Sequence, residues 1–384
     1  MEHVIKTVQT LCTRCVMDTT DPNIEFDSKG VCNHCHSYDE IVRKHVFSGD
    51  DGQQKLGPLL EAIKKDGANQ KYDCVVGVSG GVDSTYVAYK VKQFGLRPLA
   101  VHLDNGWDSE LAVKNIENTL TKLDIELYTY VIDWTEFRDI QLSFLKASTP
   151  DAEIPSDHAI VASVFQVAKK LGVKHTIWGE NYRTETHLPL DWSRGHRDWK
   201  YIQSVHKEFG HVPFKTFPHL SLRNLARGHG STKKLDVLNY LDYVKKDAME
   251  VLKKELDWKY YGGKHYESIY TRFYQGYILP RKFGFDKRKS HLSSLICSGE
   301  ISREQGLKEL EHETYPADLQ EQDREYVIKK LGLTEDEFEA IMNLPKKTFW
   351  DYPSYTKLMQ GPVYKGTRKV YRAFKYGVNS PSSP

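Results

Sequence analysis

No apolar stretch of this 384-residue chain reaches the roughly 18 residues that a membrane-spanning helix needs, so no membrane insertion is expected. Its first residues, MEHVIKTVQTLC, lack the apolar run of a signal peptide, and the cytoplasm is the expected compartment. Neither sign of charge dominates. With 54 Lys+Arg against 52 Asp+Glu the net charge is +2, which excludes a general basic coat and makes nucleic acid an unexpected partner. Cysteine is scarce, six in all, too few for a disulfide scaffold. There is no internal repeat. What is present is a composition that folds: 39% hydrophobic and 28% charged residues, in a length that at about 150 residues per domain suggests two or three domains.

The few cysteines are not scattered. Cys12, Cys15, Cys32 and Cys35 form C-x2-C-x16-C-x2-C. Each C-x2-C pair brings two thiolates to one ion from a tight turn, and two pairs complete a tetrahedron, as in zinc ribbons. His34 and His36 flank Cys35 as weaker alternative ligands. Four protein ligands leave no open position, so the expected Zn²⁺ is structural. A module of about 45 residues buries little core, and a metal would substitute for it.

Residues 72–85 read YDCVVGVSGGVDST. Cys74 to Val78 is a short β-branched run suited to a buried parallel strand. It leads into Ser79-Gly80-Gly81-Val82-Asp83-Ser84-Thr85, and a helical pattern follows up to Gly95. Strand, glycine loop and helix start make a phosphate cradle. Glycines let the backbone approach the ligand, and the helix N-terminus supplies N–H donors and positive potential. Ser79, Ser84 and Thr85 add hydroxyls. Asp83 would repel phosphate unless Mg²⁺ bridges the two. No G-x4-G-K-[ST] occurs, so this is not a Walker loop. The S-G-G-x-D-S pattern resembles the PP-loop of ATP pyrophosphatases, enzymes that cleave ATP between the α and β phosphates and adenylylate a substrate oxygen.

Further strands are expected at Pro98–Leu103, Leu127–Ile132 and His175–Trp178, with helices at Ser109–Leu123 and after Ser156, the latter with an apolar face of Ile160, Val161, Val164, Phe165, Ala168 and Leu171. Alternating strands and helices imply a doubly wound parallel α/β sheet with ligands at the strands' carboxyl ends. Ser79, Asp104 and Gly179 all follow such ends and should line one crevice, although Asp104 also suits a plain turn. From Asp191 onward the chain is aromatic and basic. Tyr260 to Tyr277 are read mainly as core, and Arg281, Lys282, Lys287 and Arg288 as candidate contacts for an anionic substrate. Leu235, Leu238, Leu241, Val244, Ala248 and Val251 keep a helical spacing, Ser302/Gln305 and Thr334/Glu337 look like capping boxes, and NSPSSP reads as a loose tail. The expected partition is a zinc module at 1–48, a nucleotide domain at 55–230, a helical substrate region at 231–375 and a tail at 376–384.

The order of the four cysteines, SGGVDST, LDNGW, PSDHAI, GENYRTE and ILPRKFGFDKRKSHLSSLICSG resembles the N-acetyl sugar amidotransferases of bacterial surface-polysaccharide (LPS/O-antigen) biosynthesis, the WbpG/PseA-like group, over roughly residues 10–350. The resemblance implies a PP-loop fold of the HUP-like class. It implies an AMP-forming C–N ligase that converts an acetamido group of a nucleotide-activated N-acetyl sugar into an acetamidino group. By motif position, Ser79, Gly80, Gly81, Val82, Asp83, Ser84, Thr85 and Gly179 would hold ATP and Mg²⁺, with Asp104 by the nucleoside and Glu180 and Asn181, with Asp83, as the catalytic residues.

Ammonia would come from elsewhere, because Cys74 and Cys297 sit in no nucleophile elbow and position 2 is Glu2. The resemblance points to a glutaminase subunit like that of histidine synthesis (HisH-like) and a second, cyclase-like one (HisF-like). Two other readings compete. A PP-loop tRNA thiolase needs reactive thiols, for which only Cys74 and Cys297 remain. A non-catalytic RNA-binding zinc module is opposed by the neutral charge and the intact loop.

Overall fold

A computed structural model describes residues 10–221, 232–263 and 266–360. The expected tail at 376–384 lies outside the described residues. Five parallel strands form one sheet in the order β3-β2-β1-β4-β5: β1 Cys74–Gly77, β2 Pro98–Asp104, β3 Glu126–Val131, β4 His175–Trp178 and β5 Lys233–Asp236. The doubly wound α/β expectation stands.

The strand period explains how the sheet is covered on both faces. Cys74, Val76 and Val78 point to one layer with Ala100, Ile177 and Leu235, while Val75 points to the other with Leu99 and Val101. The first layer is closed by α3 (Val82–Gln93), through Val87, Ala88 and Val91, together with Ile116 and Leu120 of α4 (Glu110–Leu123). The second is closed by α6 (Ile154–Lys170), through Ala162, Val164, Phe165, Val167 and Ala168. Between β3 and α6 runs α5 (Trp134–Ala147), capped by Asp133. β3 is an edge strand and leaves Leu127 and Val131 exposed.

Two details differ from the sequence pattern. The helical spacing from Leu235 to Val251 spans three elements: β5, a 3-10 turn at Val237–Tyr240, and a helix only from Lys245 to Leu256. Leucines at β5 and the turn are buried against the sheet, and burial alone mimics a helical stripe. The helix α6 begins at Ile154, before Ser156, because Pro155 suits a first turn; its Ile160 faces outward.

At the N-terminus α1 (Asn33–His45) follows the cysteine loops, and α2 (Gly49–Gly67) leads to β1. The C-terminal part is helical: Ile269–Phe273 running into a π-helix at Tyr274–Phe283, then Arg288–Ser298, Arg303–Glu311, Ala317–Leu331 and Glu335–Met342. Both expected capping boxes, Ser302/Gln305 and Thr334/Glu337, are formed. Tyr270, Phe273 and Tyr274 are fully buried, in the largest hydrophobic cluster, which also contains the four N-terminal cysteines. Of the expected aromatic run these three are core, Tyr261, Tyr266 and Tyr277 are partly buried, and Tyr260 is exposed. No described helix is long and apolar enough to cross a membrane.

Candidate active site and metal centre

Cys12, Cys15, Cys32 and Cys35 are all fully buried, and their Sγ atoms converge. Sγ–Sγ distances are 3.9 Å for Cys12–Cys35, 3.7 Å for Cys15–Cys32 and 3.7 Å for Cys32–Cys35. A tetrahedral ion with metal–sulfur bonds of about 2.3 Å requires edges of about 3.8 Å. The residues fit a structural Zn²⁺. Backbone N–H groups of Arg14, Cys15 and Cys32 donate to the Cys12 Sγ, and that of Met17 to the Cys15 Sγ, an arrangement that suits thiolates. His34 and His36 turn instead to the carboxylates of Asp21 and Asp27, at 2.6 and 3.0 Å. The module is tied to the C-terminal helices. The Arg303 guanidinium donates to the carbonyls of Cys12 and Cys15, and the Val16 N–H donates to Ser293 Oγ.

The second site is the loop after β1. Gly80 has φ +77°, and a Cβ there would lie 2.6 Å from the Ala112 carbonyl oxygen. Only glycine lets the loop press against the first turn of α4. α3 then starts behind Gly81, which offers no capping side chain, whereas α4 and α5 are capped by Ser109 and Asp133. Of the first-turn donors of α3, the Val82 N–H meets the Tyr261 hydroxyl, and those of Asp83 and Ser84 receive no N-cap side chain, which suits an external acceptor. Ser79 and Ser84 hydroxyls lie 3.2 Å apart, and both face the loop backbone. At Gly179 a Cβ would come within 3.0 Å of the Asp83 backbone, so this glycine lets the end of β4 meet the first turn of α3. Gly179 thus meets Asp83 of the loop, while Asp104, expected to share a crevice with Ser79 and Gly179, turns to the Gly106 N–H. The loop residues fit a pyrophosphate with a divalent ion at Asp83.

Residues that local reading missed close this loop from the other half of the chain. Tyr243 donates to Asp83 Oδ1, Trp258 Nε1 donates to the Gly80 carbonyl at 2.9 Å, and the Tyr261 hydroxyl accepts from the Val82 N–H at 3.3 Å. Glu267 Oε1 stands 3.1 Å from where a Gly81 Cβ would be. Burial keeps Tyr243 and Tyr261 well above the usual tyrosine range, so both remain protonated. Their separation of about 160–180 positions from the loop leaves no local signal.

The other expected site residues have varied partners. Asp104 Oδ1 accepts the Gly106 N–H at 2.9 Å, a turn role. Glu180 is half exposed and pairs with Lys234 at 2.6 Å; Lys234 also meets Asp236, which burial pushes up to about 6. Asn181 is buried. Its Oδ1 accepts from the Thr184 N–H and hydroxyl, and its Nδ2 has no hydrogen-bond partner. That unmet donor is the feature a substrate oxygen could satisfy.

Of the four basic residues, Lys282 Nζ donates to the carbonyls of Ile341, Met342 and Leu344 at a helix end. Arg288 is held by Asp286 and three carbonyls, and Arg281 by Gln320 and the face of Tyr277. These three have internal structural work. Lys287 differs. It pairs with Glu153 at 3.3 Å in a buried charged group at the start of α6, with Asp151, Ser193 and His196. Burial opposes charge on His196, but hydrogen bonds to Asp151 and Asp157 win and push it up to about 10. Asn105, just after β2, reaches Ser156 at 3.5 Å, which sets this group at the sheet's carboxyl edge. A small cavity lies over Asp151, lined by Trp192, Ser193, Arg194, Phe349 and Trp350 among others.

The C-terminal region, residues 267–365, matches the family model described as LPS biosynthesis protein WbpG-like, C-terminal domain. The chain thus carries a WbpG-like C-terminal domain behind its α/β sheet, as the resemblance implied. A protein named "Uncharacterized protein MJ1599" from Methanocaldococcus jannaschii is 24% identical over 328 residues, covering 83% of this chain and 99% of that one. Among solved structures, an NMN synthetase from Francisella tularensis is 13% identical with a TM-score of 0.33, covering 78% of this chain and 99% of its own. An NH3-dependent NAD synthetase from Campylobacter jejuni is also 13% identical, with a TM-score of 0.29, covering 54% and 85%. At those TM-scores neither likeness carries weight for the activity of this chain.

Proposed function

We propose that the protein is an ATP-dependent, AMP-forming C–N ligase that converts an acetamido group of a nucleotide-activated N-acetyl sugar into an acetamidino group. The observation that carries this reading is the side-chain-uncapped start of α3 behind Gly80 and Gly81, in a chain that also bears a WbpG-like C-terminal domain. The amide oxygen attacks the α phosphorus of ATP, forming an O-adenylyl imidate and releasing pyrophosphate. Ammonia then adds to the imidate carbon and AMP leaves with the original oxygen. An amide oxygen is a poor leaving group and AMP a good one. The protein therefore needs chiefly to position two anions and neutralise charge.

In this scheme Ser79, Ser84 and the N–H groups of Asp83 and Ser84 hold the departing pyrophosphate, and those of Gly81 and Val82 exchange the Ser79 and Tyr261 hydroxyls for it. Asp83 holds Mg²⁺, which supplies charge neutralisation at the phosphates. Thr85, expected to offer a further hydroxyl to the ligand, is buried. Asn181 directs its unmet Nδ2 toward substrate, and Asp104 shapes the turn beside the nucleoside. The Lys287–Glu153 pair at the sheet's carboxyl edge suits a sugar, whose hydroxyls need fixed polar partners. The arrangement of zinc module, nucleotide domain and helical substrate region at 1–48, 55–230 and 231–375 belongs to the same reading, as do a cytoplasmic setting and a separate glutaminase. Incubating candidate UDP- and CMP-linked N-acetyl sugars with ATP, Mg²⁺ and ammonium, and reading products by mass spectrometry, tests it. An acetamidine product is lighter by about one mass unit, since NH replaces O. No AMP and no lighter sugar with any donor would remove the proposal.

A further inference from the structure

Cys297 has no cysteine near it in sequence, yet its Sγ lies 3.7 Å from that of Cys35. On its other side is His187 Nε2, at 3.6 Å. The three ligand atoms fall within 4.8 Å of one another, and Cys35 and His187 are fully buried. We propose that Cys35, His187 and Cys297 form a second metal site, which shares the Cys35 thiolate with the four-cysteine centre and takes a soft divalent cation, zinc first.

The geometry is that of a metal edge on both sides. Metal–sulfur and metal–nitrogen bonds of about 2.3 and 2.05 Å in a tetrahedron give S···S of about 3.8 Å and S···N of about 3.6 Å. The hydrogen bonds around His187 fix the nitrogen that faces the thiols. Ser294 spends its only hydroxyl proton on the Ser290 carbonyl, at 3.2 Å. Its oxygen therefore accepts from both the His187 backbone N–H and Nδ1, at 3.3 and 3.0 Å. Nδ1 carries the ring proton, and Nε2 presents a lone pair to Cys297. A ligating histidine whose other nitrogen donates to a fixed acceptor is the usual support of a metal site.

Electrostatics points the same way. A buried ion with four thiolates keeps two net negative charges; a second dication with the Cys297 thiolate reduces this to one. The three ligands come from α1, from the chain after β4 and from the helix Arg288–Ser298. The ion would thus staple the N-terminal module to both other parts. Three protein ligands leave one position open, and Cys297 is partly exposed, so water or a small external ligand completes the tetrahedron and the ion exchanges more readily than its neighbour.

The proposal rests on the four-cysteine reading, and zinc counting separates the two. Full-length protein is loaded with zinc, desalted and analysed for metal, beside Cys297→Ala and His187→Gln, with melting curves to show that each variant folds. The expected result is about two zinc ions per wild-type chain and about one in either variant. Cobalt(II) loading should show a second set of mixed sulfur–nitrogen bands that Cys297→Ala lacks. One ion in both wild type and Cys297→Ala, with identical cobalt spectra, overturns the second site and leaves the first standing. The contact is then only a thiol–imidazole hydrogen bond. Two ions in all three proteins also overturns it, because the second ion lies elsewhere. A folded wild type without zinc overturns both sites.

Discussion

Replacing Asp83 by Asn should separate chemistry from folding. The carboxylate accepts the hydroxyl of Tyr243, a side chain 1% exposed whose proton burial makes hard to lose. Asn offers a carbonyl oxygen in the same place, so the hydroxyl keeps an acceptor and stability should change by less than about 1 kcal/mol. Asp83→Ala removes the acceptor and strands the buried hydroxyl at a cost of about 1–3 kcal/mol. Tyr243→Phe in the alanine background should recover much of that loss, since nothing polar is then left unpaired. Activity should follow a different order. Both Asp83 variants remove the charge that holds Mg²⁺ against pyrophosphate, and ATP–pyrophosphate exchange should fall by at least about a hundredfold in each. Melting curves and exchange rates on the same preparations decide the matter. Exchange by Asp83→Asn within a factor of about three of wild type would falsify the placing of the metal and phosphates at this loop.

Gly80→Ala should lose ATP binding and about 1–3 kcal/mol of stability, because φ +77° and the Ala112 carbonyl at 2.6 Å both oppose a Cβ; an unchanged ATP titration would count against the cradle. Cys32→Ser should release the buried zinc and lower the melting temperature, and a variant that melts normally after losing zinc would show the metal is not structural. The folded pKa of His196, about 10 against the usual 6.5, means its stabilisation is complete below about pH 6.5 and lost as pH rises through 10. The melting deficit of His196→Gln should therefore be large in acid and shrink toward pH 10; a deficit independent of pH would refute the ion pairing. The isolated chain should turn over with ammonium salts at high pH and not with glutamine. Cys74 is sealed in β1, four cysteines converge on one another, and Cys297 sits in a helix rather than a nucleophile elbow; glutamine-dependent amidination by the chain alone would defeat this.

The parts of the fold readable in the sequence are those fixed by short-range rules. β1, its glycine loop and α3 follow from a β-branched run, two glycines and a helical period, all within 22 residues. The capping boxes at Ser302 and Thr334 are likewise written in four-residue windows. β5 is not readable in this way. Lys233-Lys234-Leu235-Asp236 has two lysines and one buried leucine, and it is a strand because β4 offers an open edge beside it. An edge strand draws its hydrogen bonds from a neighbour some 60 positions earlier, and no local propensity records that.

The same division runs through the site, and it explains why basic residues mislead. Arg281, Lys282 and Arg288 sit in a run whose charge suggests an anionic ligand, but a cation is equally drawn to the carbonyl end of a helix or to a neighbouring carboxylate. Lys282 meets Ile341, Met342 and Leu344 at the end of Glu335–Met342, and Arg288 meets Glu309, His312 and Glu313 at the end of Arg303–Glu311. Sequence gives the charge of a side chain and not its nearest acceptor. Cysteine spacing is a stronger signal, because two thiols three residues apart can hardly avoid one another, and the four-cysteine centre is legible for that reason. Cys297 marks where that signal stops. It has the same chemistry as the other four and meets one of them at 3.7 Å, yet it lies 262 positions from Cys35. Only the fold, by laying the helix Arg288–Ser298 against α1, puts a fifth thiol and a histidine beside a centre that spacing alone declares closed.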